Sequence, residues 1–295
     1  MNALLFAATV LIWGTTWIAI AMQVGPVPVL VSVFYRFAVA ALVLLAGLAL
    51  AGRLRRPAGR DWPWIGAQAL CLFSMNFICF YAAAAYLPSG LISVIFSLAT
   101  LFNAVNARIF FGDRITARAV LASVLGISGL ALLLGPESAG AVGGGAIRGI
   151  ALACLGTMLF SLGNMVSRRN SAAGIPPLQA NGWGMACGAG LLLALIAATG
   201  TPVVAPPDGR YLGALLYLAV VGSVIGFTTY LMLVARIGSA RAAYATVLFP
   251  IVALALSTAY EGYAWHWQGV LGLGLALLGN VAMFSRPRAG RVQPA

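Results

Sequence analysis

Polar side chains interrupt several long apolar runs of this chain at helical spacing. In the run that begins at Ser89, the side chains of Ser93, Ser97, Thr100 and Asn103 follow at such intervals. At 100° per residue they fall within about 120° of one helical face. Hydroxyl and amide groups can bind a small solute by hydrogen bonds, but they do not form the nucleophile–base pair that catalysis requires. The pattern therefore predicts solute binding rather than catalysis.

Similar stripes of amides and aromatic rings occur in other apolar runs. We predict that the following side chains line a central cavity: Trp13, Trp17, Asn76, Phe77, Phe80, Tyr81, Ser97, Asn103, Phe160, Asn164, Tyr230 and Tyr244. Two alternatives remain open. Serines at this spacing also join neighbouring helices, at about 0.6 kcal/mol for each hydrogen bond, and the aromatic rings could pack in the core or face lipid.

Two further residues lie within apolar runs where they are costly. An arginine near the middle of a membrane, such as Arg36, costs about 2.5–3.5 kcal/mol on insertion scales. It would act either as a counter-charge for a substrate carboxylate or gate, or as a structural anchor for backbone carbonyls. Pro250 removes one helical hydrogen bond, so it predicts a kink that could serve as a gating hinge or only shape the helix.

The composition places the chain in a membrane. Of its 295 residues, 62% are hydrophobic and 7% are charged, whereas a soluble domain averages roughly 25% charged residues. Apolar runs of about 20 residues recur, which is the length of a membrane-spanning helix and exceeds the short alternating segments of a β-barrel. The sequence therefore predicts an all-α integral membrane protein surrounded by a lipid bilayer.

We predict ten transmembrane helices and an orientation from the charges between them. The spans are residues 3–23, 28–51, 63–84, 89–110, 116–135, 147–167, 177–199, 210–234, 240–260 and 267–285. When the connections alternate between two sides, only Arg148 and Arg210 fall on one side, and the remaining loop arginines fall on the other. This bias predicts that both termini are cytoplasmic. It is unlike the clustering of arginines and aromatics that nucleic-acid binding requires, so no nucleic-acid partner is expected.

An internal repeat divides the chain into two halves. A shift of about 150 residues places Ser89 on Ser239. It also aligns these identical pairs: Leu98 and Leu248, Gly112 and Gly262, Val120 and Val270, and Gly129 and Gly279. We predict a first five-helix repeat at 1–135, a connecting loop at 136–146 and a second repeat with a short tail at 147–295. Because five is odd, the second repeat enters the membrane in the opposite direction, and such inverted repeats favour alternating access.

Groups that could supply energy or hold a cofactor lie outside the predicted membrane interior. The carboxylates fall at the ends of spans: Asp61, Asp113, Glu137, Asp208 and Glu261. The single histidine, His266, lies at an edge between two tryptophans, and the four cysteines have no metal-ligand spacing. A P-loop motif for ATP is absent from the sequence. We therefore predict no cofactor, no metal and facilitated movement without a coupling ion.

Four short motifs resemble those of a known family. Trp13–Trp17 resembles a W-G-x-x-[FW] start, Tyr35–Phe37 an R-[FY] element, and Gly112–Arg114 a G-E corner that Tyr260–Gly262 repeats in altered order. The chain is similar over essentially its whole length to the drug/metabolite transporter superfamily and its EamA-type ten-helix exporters. Its aromatic content further resembles the YddG-type aromatic amino-acid exporters.

The resemblance implies export across the bacterial inner membrane. A cavity rich in aromatic rings and amides, with little fixed charge, favours small and largely apolar solutes, best represented by aromatic or neutral amino acids. Other metabolites or drugs of the same superfamily are the main alternative, and a membrane-embedded enzyme or a channel is less favoured. Glycines without polar neighbours in the fifth and tenth spans suggest either a scaffold or a homodimer contact, with a monomer equally compatible.

Overall fold

The computed structural model describes residues 2–133, 145–237 and 245–284, which form ten helical spans. They are α1 (Asn2–Ala21), α2 (Val29–Leu50), α3 (Trp62–Leu70, Cys71–Met75 and Asn76–Ala83), α4 (Ser89–Phe96 and Ala99–Phe111), α5 (Ala117–Leu133), α6 (Ala146–Ala172), α7 (Pro177–Thr199), α8 (Gly209–Leu216, Tyr217–Ile225 and Gly226–Ile237), α9 (Ala245–Glu261) and α10 (Trp267–Phe284). Spans α1–α4 and α6–α8 are long and apolar enough to cross a membrane, and the other three are shorter apolar helices. The predicted all-α architecture of ten membrane helices is confirmed.

Prolines and glycines set several of the helix ends. Pro28, Pro88 and Pro176 immediately precede α2, α4 and α7, where a missing backbone N–H costs no helical hydrogen bond. Gly112 (φ 72°) and Gly200 (φ 63°) end α4 and α7 in the left-handed conformation, which glycine adopts without steric penalty. The connections are therefore tight, and successive helices run antiparallel.

The predicted boundary of the sixth span is wrong at its end. Helix α6 continues to Ala172, five residues past the predicted 167, so Arg168 and Arg169 lie on its last turns rather than in a loop. Each arginine meets a carboxylate, Arg168 that of Asp113 at 2.6 Å and Arg169 that of Asp61 at 3.1 Å. These ion pairs let the helix carry two charges beyond the apolar run.

The packing of the helices follows a two-fold exchange between the halves, in which α1–α5 correspond to α6–α10. Helix α1 packs on α9, and its counterpart α6 packs on α4. Likewise α3 packs on both α6 and α7, while α8 packs on both α1 and α2. Three pairs of counterparts pack on each other, namely α2 on α7, α4 on α9 and α5 on α10. This exchange, with five helices in each half, is the arrangement of inverted repeats.

Helices α5 and α10 pack against each other through glycine. A Cβ atom on Gly272 would lie 2.9 Å from the Leu133 nitrogen, and one on Gly279 would lie 2.8 Å from the Ala122 carbonyl oxygen. Such close approach of two backbones is typical of membrane helix pairs built on small residues. The glycines of these spans therefore join the two halves within one chain, and a homodimer contact on the same helices stays a prediction.

Counterpart helices α3 and α8 each contain a π-helical segment, Cys71–Met75 and Tyr217–Ile225. In each, a buried serine donates a hydrogen bond to the carbonyl oxygen five residues earlier, Ser74 to Ala69 at 3.0 Å and Ser223 to Leu218 at 2.9 Å. A π-bulge inserts one extra residue into a helix and is frequent at functional sites. We call these segments the α3 bulge and the α8 bulge.

Candidate functional site

A cavity of about 640 Å³ enters the molecule between the two halves. Its mouth includes the exposed segment 113–116, which connects α4 to α5. This connection, together with the α2–α3 and α6–α7 connections, forms the side predicted to carry most of the arginines, here called the arginine-rich face. The cavity runs inward past Asn103 and Phe160 to Ile20 and Arg36. Its volume lies within the range of small-molecule sites, about 300–1,000 Å³.

Aromatic rings from six helices line the inner part of the cavity. Trp17 of α1 contacts Phe80 and Phe96 with ring centroids 5.4 and 5.3 Å apart, and Phe96 contacts Phe160 at 4.7 Å. Most of the ring pairs along this wall meet edge to face, the arrangement that their quadrupoles favour. The wall therefore presents ring faces and edges on which a planar apolar solute can stack.

Trp13 lies at the junction of α1, α8 and α9. Its ring meets Phe227 and Phe249 edge to face at 5.3 and 5.5 Å, and its indole Nε1 donates to the Gly222 carbonyl oxygen at 3.2 Å. Gly226 gives the indole its space, because a Cβ atom there would lie 2.5 Å from Nε1. The α8 bulge therefore supplies the acceptor for this ring, and the first residue after the bulge leaves the space for it.

The polar side chains of the cavity wall differ in whether they are hydrogen-bonded. Asn164 donates to the Asn103 side-chain oxygen at 3.3 Å, which joins α6 to α4 in the middle of the cavity. Ser97 and Thr100 donate to carbonyl oxygens of their own helix, at 2.6 and 3.0 Å. Asn76, in contrast, is buried with neither side-chain atom hydrogen-bonded among the described residues. Asn76 is therefore a polar wall residue whose side chain has no partner among the described residues.

Arg36 lies at the deep end of the cavity, which we define as Trp17, Arg36, Asn76 and Phe77. Its Nε donates to the Ser223 hydroxyl of the α8 bulge at 3.3 Å, and its guanidinium carbon lies 4.4 Å from the Phe77 ring centroid. Nη1 has no hydrogen-bond partner within the described part of the chain. The guanidinium is thus positioned by neutral groups.

An ion pair borders the cavity mouth. Arg168 donates from Nη1 and Nη2 to the two carboxylate oxygens of Asp113, at 2.6 and 3.2 Å, and its guanidinium carbon lies 4.1 Å from the Phe111 ring centroid. These hydrogen bonds hold the pKa of Asp113 below its ordinary value. Both side chains are about half exposed, 49% and 45%, so solvent screens the pair.

On the opposite face of the molecule, the described parts of α4 and α9 are in close contact. Glu261 at the end of α9 accepts hydrogen bonds from the Ser89 nitrogen at 2.9 Å and the Ser89 hydroxyl at 2.6 Å. It therefore caps the first turn of α4 with a carboxylate, which the helix dipole favours. Gly90 sits directly against α9, because a Cβ atom there would lie 2.9 Å from the Leu254 Cα. Helices α4 and α9 leave no space between them at this level.

The structure brings most of the predicted side chains to one cavity. The predicted residues in its wall are Trp13, Trp17, Asn76, Phe77, Phe80, Ser97, Asn103, Phe160, Asn164, Tyr230 and Arg36. Tyr81 is placed elsewhere, fully buried behind the wall with its hydroxyl donating to Gln23 at 2.7 Å. Pro250 lies buried inside α9 beside the wall residue Phe249. Tyr244 lies outside the described residues.

Sequence reasoning missed several wall residues. Phe227, Phe249 and Asn181 line the cavity together with Ile20 and Leu72. Phe227 and Phe249 stand in apolar runs whose polar residues do not mark one face, so only the packing of Trp13 against both rings reveals them. Asn181 had a signal, since it is an amide near the start of a span. It accepts a hydrogen bond from Gln68 at 3.1 Å in a buried amide network with Asn170.

Comparison with known proteins identifies the group to which this architecture belongs. The model of the EamA-like transporter family matches residues 1–135 and 147–285. The chain belongs to the EamA-like transporter family. Among the described residues there is also no group of three or more His, Cys, Asp or Glu side chains that could hold a metal. Because this family is one of transporters, the protein is a multi-pass membrane transporter of the drug/metabolite superfamily rather than an enzyme.

Several relatives match nearly the whole length of this EamA-family chain. A protein of Streptantibioticus cattleyicolor named as a probable terminal-alkyne amino-acid exporter is 27% identical and covers 97% of this chain and 94% of its own. The inner membrane transporter YedA of Escherichia coli is also 27% identical, over 93% of this chain and 87% of its own. A solved crystal structure with a TM-score of 0.68 and 20% identity covers 95% of both chains, which shows the same fold.

Proposed function

We propose that this transporter exports small, largely apolar solutes, with aromatic and neutral amino acids as its substrates, across the bacterial inner membrane. The observation that carries the proposal is a cavity walled by aromatic rings that holds one arginine at its deep end. Each stacked ring pair contributes about 0.5–1.5 kcal/mol, which suits the weak binding that a carrier needs. The relative named as a probable amino-acid exporter supports the same substrate class.

We further propose that the solute crosses by alternating access. The cavity reaches the exposed segment 113–116 on one face, while Glu261 and Ser89 join α9 to α4 on the other. Because contacts of one half are repeated by the other under exchange of counterparts, a rocking motion that closes the first mouth can open the second at little cost. The excess of arginines on the face of the open mouth favours a cytoplasmic location for it and for both termini.

The decisive experiment is counterflow in liposomes that contain the purified protein. Labelled phenylalanine is offered against unlabelled phenylalanine, tryptophan, a neutral aliphatic amino acid and a sugar. We expect saturable exchange that aromatic amino acids compete and the sugar does not. Trp17→Ala and Asn76→Ala should weaken exchange, whereas Trp267→Ala should leave it unchanged, because Trp267 is 66% exposed and lies outside the cavity wall.

The possible results of this experiment test the proposed substrate and the proposed mechanism separately. Exchange of other solutes without any competition by aromatic amino acids would keep the carrier and reject the proposed substrate. Conductance without saturation would reject alternating access in favour of a channel. Rates that stay constant under an imposed proton or sodium gradient would support facilitated movement, and strong stimulation by either gradient would reject it.

A further inference from the structure

Two polar side chains at the deep end of the cavity lack partners. Arg36 is 4% exposed with an unpaired Nη1, and Asn76 is fully buried with an unpaired Oδ1 and Nδ2. An unsatisfied buried hydrogen-bonding group destabilises the folded state, and more so when it is charged. Phe77 adjoins both residues: it follows Asn76 in α3, and its ring lies against the Arg36 guanidinium. Native structures retain such groups together where a ligand completes them.

The surroundings of Arg36 position its guanidinium without neutralising it. The Ser223 hydroxyl, fixed by its own hydrogen bond to Leu218, takes the Nε–H. The Phe77 ring covers one face of the guanidinium at 4.4 Å. These contacts leave Nη1 without an acceptor among the described residues. An arginine stays protonated in a protein interior and its planar edge matches a carboxylate, so the missing partner is an anion.

The charges around the cavity limit which anion fits. The carboxylate in the wall is that of Asp113, at the mouth, and it is already paired with Arg168. Within the described wall, the deep end holds one cation and no acidic group to receive an ammonium group. Aromatic rings fill the remaining wall around Trp17 and Phe77. The site is therefore complementary to one carboxylate on an apolar or aromatic body.

We infer that Arg36 and Asn76 form a carboxylate subsite, and that the carrier recognises aromatic monocarboxylates with or without an α-amino group. The inference rests on the proposed function, because it assigns the polar end of the solute in the same cavity. The arginine receives the carboxylate oxygens, and Asn76 Nδ2 donates to the same group. An amine without a carboxylate is excluded, since it would place a second cation beside Arg36.

Thermal unfolding of the detergent-purified protein tests this subsite without requiring transport. The probes are phenylpropionate, phenylalanine and phenethylamine, which share one ring and differ in their charged groups. Binding to the folded state raises Tm as the free ligand exceeds Kd. We expect phenylpropionate and phenylalanine to raise Tm with Kd values within about tenfold of each other, and phenethylamine to produce no shift. Stabilisation by phenethylamine equal to that by phenylpropionate would overturn the inference.

Substitutions assign the effect to the two residues. Arg36→Met should weaken phenylpropionate binding by about 10-fold or more, as expected for a charged hydrogen bond. Arg36→Lys, which keeps the charge but loses the planar edge, should fall between this variant and the wild type. Asn76→Leu should weaken binding by about 3-fold, the effect of a neutral hydrogen bond. Arg60→Met, an exposed arginine outside the wall, is the control and should bind as the wild type does.

A purely structural role for Arg36 gives a different result. Arg36→Met would then lower the Tm of the ligand-free protein while phenylpropionate binding by Arg36→Lys and Asn76→Leu stayed at the wild-type level, and the inference would be wrong. If Arg36→Met does not fold, Arg36→Lys and Asn76→Leu decide the question alone. Phenylpropionate binding that depends on Arg36, combined with no exchange of phenylalanine in liposomes, would reject the proposed function and retain the subsite.

Discussion

In both α3 and α8, a buried serine bonds back to a carbonyl five residues earlier, but the two bulges face different neighbours. At the α3 bulge, Ser74 also approaches the Gly188 carbonyl of α7 at 3.5 Å, and the two helices are in direct contact. At the α8 bulge, Ser223 receives Arg36 from α2, the counterpart of α7. The same π-helical backbone thus lies at a close helix contact in the first half and beside a buried arginine of the cavity wall in the second.

This difference shows how a pair of inverted repeats can acquire a polar solute site. The symmetric feature is the bulge, which frees backbone carbonyls and widens the helix. The asymmetric feature is the side chain opposite it, glycine on α7 and arginine on α2. On the proposed function, solute recognition depends on a small number of side chains that break the symmetry of the backbone.

The largest expected effect is a loss of stability at the contact between the α3 bulge and α7. A Cβ atom on Gly188 would lie 2.9 Å from the Phe73 carbonyl oxygen and 3.2 Å from the Ser74 hydroxyl. Gly188→Val should therefore destabilise the protein by about 1–3 kcal/mol or prevent folding. Gly190→Val, on the same helix with nothing within 4 Å of its Cβ, should be close to neutral. Thermal unfolding in detergent measures both, and equal Tm values would contradict the sealed contact.

The second largest expected effect is a loss of solute affinity when the space that Gly226 leaves beside the α8 bulge is filled. Gly226→Ala would place a methyl carbon 2.5 Å from Trp13 Nε1, so the indole must leave the Gly222 carbonyl. We expect solute affinity to fall by about 10-fold, the effect of losing a buried hydrogen bond and one stacking surface. Quenching of tryptophan fluorescence by the solute measures the affinity. Gly213→Ala, which is in open space on the same helix, is the matched control; equal losses in both variants would contradict the role of Gly226.

A smaller effect should separate the two bulge serines. Ser223→Ala removes the acceptor of Arg36 Nε, so it should weaken carboxylate binding by about 3-fold. Ser74→Ala should lower stability by about 1 kcal/mol and leave carboxylate affinity unchanged, because Ser74 contacts backbone only. Binding and unfolding of both variants are measured side by side. Identical profiles for the two variants would remove the functional distinction between the bulges.

The smallest effect is expected at the cavity mouth, away from both bulges. Because Arg168 lowers the pKa of Asp113, the pair contributes stability above the ordinary pKa of the carboxyl group and loses it as the pH falls through the lowered value. Asp113→Asn should therefore remove a small, salt-sensitive contribution at neutral pH and none at strongly acidic pH. Tm measured across the acidic range, with and without added salt, tests the sign. A stabilisation that grows toward low pH would contradict it.

The number and extent of the helices could be predicted from the sequence for simple physical reasons. A span must be apolar over about 20 residues. The connections between spans must alternate between two faces, with most of the arginines on one of them, so both constraints can be read along the chain. The end of α6 could not be predicted this way, because Arg168 and Arg169 extend the helix through ion pairs with distant residues. Such pairs become visible only after α4 and α3 are placed beside α6.

The candidate site was predictable where polar residues marked a helical face. Asn103 and Ser97 satisfy this condition, and both line the cavity. Tyr81 shares a helical stripe with Phe77 but does not line the cavity, because its side chain packs behind the wall, where its hydroxyl donates to Gln23. The π-bulges were hidden as well, since one inserted residue changes the backbone without changing the apolar composition from which a span is recognised.

The tryptophans of the chain form three layers along the membrane normal. Trp62, Trp64 and Trp183 belong to the arginine-rich face, Trp265 and Trp267 to the opposite face, and Trp13 and Trp17 to the cavity wall between them. Quenching of their fluorescence can therefore report whether an aqueous quencher reaches the cavity. An aqueous quencher added on one side of the membrane should reach the outer layer on that side at all times. Under the proposed alternating access, it should reach Trp13 and Trp17 only while the cavity opens to that compartment.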